Sequence, residues 1–166
     1  MEKNNGTKHL PNRETHHCFG CSPINPSGLQ MKFYTNDSTV FSRLKVPDHL
    51  CGWDRLVHGG VISTIMDEIM SWTGIYMLKQ ITMTKSMTVD FIKPVYINSE
   101  LKVEGHVLEK TGKHEALLEG RLFNDKGKLC AKSKGIFVIF SPAVAKRLGI
   151  AQREHLEWFE EIYNLR

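Results

Sequence analysis

The stretch LVHGGVISTIMDEIMSW, residues 56–72, combines residue types that activate water and stabilise a developing negative charge. Asp67 and Glu68 supply carboxylates, and His58 supplies an imidazole ahead of two glycines. A carboxylate in a partly dry space serves either as a general base or as a structural hydrogen-bond acceptor, and the sequence leaves both roles open. The positions of these residues on one helix decide which of them face the same space.

Residues 58 to about 78 are predicted to form one long helix, because apolar residues recur there with a helical period. An apolar arc of about 180° is predicted to be buried; it comprises Val61, Ile62, Ile65, Met66, Ile69, Met70 and Trp72. The opposite face is small and polar, with Gly60, Ser63, Thr64, Asp67, Ser71 and Gly74. Asp67 projects from the middle of this small-residue face, which lets a second backbone or a ligand come close. Glu68 falls at the edge of the apolar arc.

Two glycines, Gly59 and Gly60, stand at the helix start, where the first backbone N–H groups have no intrahelical acceptor. Such donors would form an oxyanion hole for acyl transfer, although a glycine pair also suits a tight turn. Asp67 lies about 12 Å along the helix axis from Gly59, so one chain cannot bring both groups to the same carbonyl. Two antiparallel copies of the helix would, and the sequence therefore predicts a homodimer with composite sites.

Strand and turn signals surround this helix. Two strands are predicted over residues 29–35 and 39–47, and four more over 83–95, 100–111, 113–123 and 128–140. Glycine-containing connectors at 110–113 and 124–127 predict that the last three strands form an antiparallel meander. With one long helix for about six strands, we expect an α+β fold in which a curved antiparallel sheet wraps around the helix.

The composition is that of a single globular domain with ordinary proportions. The chain has 166 residues, of which 41% are hydrophobic and 24% charged. Residues 1–15 are polar and aperiodic, and we expect a flexible tail there. The main domain is predicted over 16–141, followed by a helical extension over 142–166 with Leu156, Phe159 and Tyr163 on one face.

The distribution of charge and the cysteines limit the cellular compartment and the classes of partner that we expect for this chain. The net charge of +4 admits an anionic ligand, but the lysines are scattered, whereas a nucleic-acid surface would concentrate them. No stretch is apolar enough for a membrane span or a secretory signal. Four cysteines without an export signal favour reduced thiols and a cytoplasmic address. We therefore expect a small-molecule partner and neither nucleic acid nor membrane.

The segment HGGVISTIMDE, in which Asp67 follows nine positions after His58, resembles the signature of hotdog-fold acyl-CoA thioesterases of the phenylacetic-acid-degradation type. Upstream, CFGCSPINPSGLQMKF resembles the family's cysteine-rich entry into the first strand. Downstream, TMTKSMTVDFIKPV resembles the strand after the family's helix. The resemblance covers about residues 18–140 and implies a hotdog fold, a homodimer or a dimer of two dimers, and hydrolysis of an acyl-CoA thioester. CoA enters as part of the substrate, and no cofactor is expected.

The resemblance also implies roles for individual residues. Asp67 would be the general base or nucleophile, and the Gly59 N–H of the partner subunit would polarise the thioester carbonyl. Thr84 matches a hydroxyl position that helps to hold the attacking water in some members. Other members carry Asn or Gln in the loop before the glycines, where this chain has Gly52 and, two residues later, Asp54. Asp54 and Glu68 are therefore both candidates to share that role.

The remaining candidates have a structural alternative beside the functional one. His58 is a candidate catalytic residue, but a histidine just ahead of a helix more often orients the loop than transfers protons. Residues expected to contact substrate are Gly60, Ser63, Ser86 and Trp53. Trp53 belongs to a set of large apolar residues that either line an acyl tunnel or, more often, pack the core; the others are Trp72, Tyr76 and methionines 66, 70, 77, 83 and 87.

The cysteine pair Cys18 and Cys21 suggests a metal or redox site, but its context favours neither. Structural zinc sites use four ligands, usually as two separated pairs, and Cys51 and Cys130 stand alone. A redox Cys-x-x-Cys belongs at a helix start in a βαβ unit, which this chain lacks. We therefore expect no metal, and packing beneath the Asn-Pro turn as the role of the pair.

Three function classes remain open at this stage. The first is a thioesterase that uses a carboxylate-activated water and a helix N-terminal oxyanion hole. The second is a non-catalytic acyl-CoA binder or sensor, against which the retained Asp67 argues. The third is a hotdog dehydratase, which would need a His-Asp pair in its own motif, and no such motif stands near Asp67.

Overall fold

The computed structural model describes residues 6–165. The strands are β1 (Lys8–His9), β2 (Phe33–Thr35), β3 (Val40–Leu44), β4 (Ile81–Phe91), β5 (Leu101–Glu109), β6 (Glu115–Phe123) and β7 (Leu129–Phe140). The helices are α1 (Gly59–Leu78), α2 (Pro142–Arg147) and α3 (Arg153–Asn164), with a short 3-10 turn at Asp48–Leu50. None of these helices is both long enough and apolar enough to cross a membrane.

The seven strands form one antiparallel sheet in the order β1-β2-β3-β5-β6-β7-β4. The predicted meander of the last three strands is confirmed, since β5 pairs with β6 and β6 with β7. Strand β4 follows α1 in sequence but lies at the sheet edge, where β7 is its neighbour. Helix α1, which connects β3 to β4 in the chain, packs on one face of the sheet. One long side of β4 stays free of a strand partner within residues 6–165.

Helix α1 packs on the sheet through the apolar arc that the sequence predicts. All seven residues of that arc are buried. The contact with β5 is close because a Cβ on Gly105 would lie 2.0 Å from Thr73 Oγ1 and 2.9 Å from the Ile69 carbonyl oxygen. The Thr73 hydroxyl donates to that same carbonyl, which keeps the hydroxyl paired inside the core. The small-residue face of α1 is thereby turned away from the sheet centre, apart from Gly74, which is buried against Thr82 and Leu118.

The first residues of the described chain differ from the predicted flexible tail over 1–15. Lys8 and His9 pair with β2, and Leu10 is buried in the core. The Trp158 Nε1–H donates to the Pro11 carbonyl at 2.8 Å, which ties this segment to α3. The prediction was wrong for residues 8–11, because backbone pairing and one buried leucine order a polar segment that shows no side-chain period. Residues 1–5 lie outside the described residues.

The predicted C-terminal helical extension is present as α2 and α3. Trp158 packs edge-on against Trp72 of α1, with ring centroids 5.3 Å apart, and Phe159 and Ile162 are buried. Phe159 and Tyr163 lie on one face as predicted, with ring centroids 6.3 Å apart, but Tyr163 is exposed and Ile162 is buried. The extension therefore covers the C-terminal half of α1 and leaves the first turns of that helix open.

Candidate active site

Asp67 lies on the small-residue face of α1, opposite the edge strand β4. The Thr84 hydroxyl of β4 donates to Asp67 Oδ1 at 2.5 Å, next to a bulge between Thr84 and Ser86. Burial raises the pKa of Asp67 above the ordinary range of an aspartate, and the hydrogen bond from Thr84 partly offsets this. The result is a half-buried carboxylate with one oxygen held by a hydroxyl, which is the arrangement of a positioned base.

The start of α1 offers one unpaired backbone donor. The Gly60 N–H donates to His58 Nδ1 at 2.9 Å, and the N–H groups of Val61 and Ile62 donate to the His58 carbonyl. Within residues 6–165 the Gly59 N–H has no acceptor. His58 is thus the helix cap, in line with the structural alternative stated above. Gly59, and not Gly60, is the residue whose N–H is available to an incoming oxygen.

A cavity of about 270 Å³ opens beside Gly59, and its apolar lining was not predicted. Phe91 at the end of β4 and the following Ile92 line it, with 57% and 49% of their surfaces exposed. A Cβ on Gly59 would lie 3.6 Å from the Phe91 ring, an ordinary contact distance. The sequence signal for this lining is weak, since apolar residues at a strand end are equally typical of core packing.

The structure does not bring Asp67 and Gly59 together within one chain. Both lie on α1, and their separation of about 12 Å along the helix axis follows from its regular rise. Asp67 faces the middle of β4, whereas Gly59 faces its end. A carbonyl hydrogen-bonded to one of them is out of reach of the other.

The other predicted residues fall into different environments. The Ser63 hydroxyl donates to the Gly59 carbonyl at 3.0 Å, so it is satisfied by its own helix. Ser86 is exposed on β4, beside the bulge. Trp53 is 83% exposed in the loop before α1, so the expectation of core packing was wrong for it. That expectation also fails for Met83, which is exposed on β4, while Trp72, Tyr76, Met66 and Met70 are buried.

Glu68 points away from Asp67 and Thr84, into the loop that precedes β2. The Cys18 Sγ–H donates to Glu68 Oε1 at 3.2 Å. Burial raises the pKa of Glu68 to about 8. The hypothesis that Glu68 shares the water-holding role with Thr84 does not match this placement. Because Cys18 precedes Glu68 by about 50 residues, no local spacing in the sequence indicates their contact.

Comparisons with known proteins identify the fold. The sequence profile of the thioesterase superfamily matches residues 55–131, from just before α1 into β7. A crystal structure of a thioesterase superfamily protein, RHA08564, superposes with a TM-score of 0.69 at 20% identity, covering 74% of this chain and 60% of that one. The Escherichia coli PaaI protein from the phenylacetic acid degradation operon gives 0.61 at 16% identity, covering 68% and 81%. The fold is a hotdog fold.

A further hotdog structure is a hypothetical thioesterase from Streptococcus pneumoniae, solved with coenzyme A. It has a TM-score of 0.57 at 19% identity and covers 63% of this chain and 80% of that one. At such identities these likenesses show the hotdog fold alone, and this chain spans only 60% of the length of RHA08564. The comparison with curated protein sequences gave no match.

Proposed function

We propose that the protein is an acyl-CoA thioesterase that hydrolyses a thioester to a free acid and CoA. The observation that carries this proposal is the half-buried Asp67 carboxylate, oriented by Thr84 on a small-residue face of α1. The free Gly59 N–H at the start of the same helix and the match to the thioesterase superfamily profile support it. The hotdog thioesterase solved with coenzyme A supports CoA as the thiol half of the substrate.

The chemistry needs one water molecule and three protein groups. Asp67 takes a proton from the water as its oxygen attacks the acyl carbon, while the Thr84 hydroxyl holds the carboxylate in place. The Gly59 N–H stabilises the negative charge that develops on the carbonyl oxygen. The carbon–sulfur bond then breaks, the CoA sulfur takes up the proton, and the acid and free CoA leave.

We propose further that the active site is composite and that the working unit is a homodimer. Two α1 helices in antiparallel arrangement would place the Asp67 of one chain beside the Gly59 of the other. Strand β4 has one unpaired side and carries the exposed side chains of Met83 and Phe91. In a homodimer, the β4 strands of the two copies would cover these side chains. A pair of such dimers would give a tetramer with the same sites.

Hydrolysis of a panel of acyl-CoA thioesters tests the proposed activity. We expect release of free CoA, followed with a thiol reagent, to exceed the uncatalysed rate for at least one chain length, and to saturate with substrate. Tight binding of acyl-CoA without thiol release would support the non-catalytic binder instead. Hydration of an enoyl-CoA without thiol release would support the dehydratase. Either result would overturn the thioesterase.

Thr84→Val is expected to lower kcat by about tenfold with little change in KM, because it removes only the hydroxyl that orients Asp67. Thr84→Ser keeps a hydroxyl at this position and should recover most of the wild-type kcat. Steady-state kinetics on the best substrate of the panel measure both constants. A rise in KM at constant kcat would show that Thr84 binds substrate and does not position Asp67.

A further inference from the structure

A second cluster of reactive side chains lies where Glu68 of α1 meets the loop before β2. The sulfur atoms of Cys18 and Cys21 and a carboxylate oxygen of Glu68 all lie within 4.8 Å of one another. Cys21 is buried and Cys18 is half-buried. Nothing in the proposed hydrolysis uses these three groups, and packing beneath the Asn-Pro turn does not require a carboxylate among two thiols.

The local sequence builds this cluster with a tight loop over the helix. Gly20 stands between the two cysteines, and a Cβ there would lie only 2.2 Å from Glu68 Cγ and 2.7 Å from Oε1. The loop backbone is fixed by other contacts, with Leu29 N–H donating to the Phe19 carbonyl and Met31 N–H to that of Gly20. These backbone hydrogen bonds hold the two thiols against the carboxylate, and neither of them involves a thiol group.

The cluster has open space beside it. It lines a cavity of about 270 Å³ together with Arg13, His16 and His155. The His16 ring is already engaged, because its Nδ1 accepts from the Cys18 N–H at 3.3 Å and its Nε2 lies 3.2 Å from Asn12 Oδ1. The cavity thus offers room for one more ligand at the cluster, and that ligand need not be a protein side chain.

We propose that Cys18, Cys21 and Glu68 bind a zinc ion, with the fourth position open to the cavity. Thiolates select borderline and soft ions over Mg²⁺ and Ca²⁺, and a mixed sulfur and carboxylate set suits Zn²⁺. Tetrahedral zinc–sulfur and zinc–oxygen bonds of about 2.3 and 2.1 Å place the ligand atoms about 3.6 to 3.8 Å apart. The three atoms of the cluster lie close to that spacing, since all are within 4.8 Å of one another and Cys18 Sγ lies 3.2 Å from Glu68 Oε1. The charge of the ion would offset the two thiolates and the carboxylate gathered there.

This proposal departs from the expectation, drawn from the sequence, that the cysteine pair binds no metal. The sequence shows one pair of cysteines and no second pair of metal ligands, so the number of ligands was too small to predict a site. The third ligand comes from α1, next to Asp67, and is brought to the cysteines only by the fold. The proposal is independent of the thioesterase activity, because its test measures bound metal and not turnover.

The test uses the full-length protein, purified with a phosphine reductant, stripped with a chelator and titrated with Zn²⁺ and with Co²⁺. We expect about one ion per chain and, with Co²⁺, a near-ultraviolet thiolate-to-metal band. Cys18→Ser and Cys21→Ser should each abolish that band, and Glu68→Gln should weaken binding by at least about tenfold. Cys51→Ser, at an exposed cysteine outside the cluster, should bind like the wild type.

Thermal unfolding supplies a second readout that does not need the variants of the three ligand residues. Zn²⁺ should raise the Tm of the wild type and of Cys51→Ser, because a ligand that binds only the folded state stabilises it. Failure of the reduced wild type to take up either ion would overturn the proposal. So would uptake that survives Cys18→Ser. A Cys18–Cys21 disulfide in non-reduced peptide maps, with no metal uptake after reduction, would assign the pair to redox chemistry instead.

Discussion

Replacing Asp67 with Asn is expected to lower kcat for acyl-CoA hydrolysis by at least about 100-fold, with KM changed far less. The amide has the size of the carboxylate, and its oxygen can still accept the hydrogen bond from Thr84. It cannot take a proton from water, so the loss falls on the chemical step. Steady-state kinetics on the best substrate of the acyl-CoA panel measure the effect.

A matched control separates this loss from a general effect of removing a negative charge. Asp125 is exposed in the turn that precedes β7, whereas Thr84 pairs with Phe137 towards the other end of that strand, so Asp125→Asn should leave kcat unchanged. Circular dichroism and CoA binding confirm that the Asp67 variant is folded. Near-wild-type turnover of a folded Asp67→Asn protein would remove Asp67 from the mechanism and with it the proposed site.

The helix and its two faces could be predicted from the sequence because burial and helical period agree at every position of the apolar arc. The same period placed Asp67 off that arc, and the structure has it on the open face opposite β4. The meander was predictable for a similar reason, since its turns carry glycine and its strands alternate. Elements without a side-chain period were missed, as the pairing of Lys8 and His9 with β2 shows.

The candidate site was harder to predict than the helix that carries it. The two glycines look equivalent in sequence, and only the ring of His58, which accepts from Gly60, shows that the free donor is Gly59. Trp53 was expected either to line an acyl tunnel or to pack the core. The adjoining Asp54 has a left-handed φ of 41°, and the loop turns Trp53 outward. The contact of Glu68 with Cys18 joins distant segments, which local patterns do not report.

Replacing Gly59 with Pro is expected to lower kcat by about 100- to 1000-fold, the range for loss of one oxyanion-hole donor. Proline removes the free N–H and no hydrogen bond of the helix, because Gly59 is the first residue of α1. The preceding His58 has φ −59° and ψ 137°, a conformation that a residue before proline adopts readily. The substitution should therefore leave the Tm nearly unchanged while it removes the donor.

Gly59→Ala is the control for the added bulk. It keeps the N–H, and its Cβ would meet the Phe91 ring at an ordinary 3.6 Å, so turnover should stay near the wild-type value. Equal loss of kcat in the alanine and proline variants would mean that space at this position matters, and not the donor. Both variants are measured by steady-state kinetics and by thermal unfolding.

Mixing Asp67→Asn with Gly59→Pro chains tests whether the site is shared between subunits. Each variant alone is nearly inactive, but a mixed dimer has one site with the Asp67 of one chain and the Gly59 of the other intact. Random pairing makes about half of the dimers mixed, with one of their two sites restored, so about a quarter of wild-type activity should return. Recovery after co-refolding shows that the two groups act across the interface. Its absence, with dimers present by light scattering, would mean that Asp67 does not work with the Gly59 of its partner.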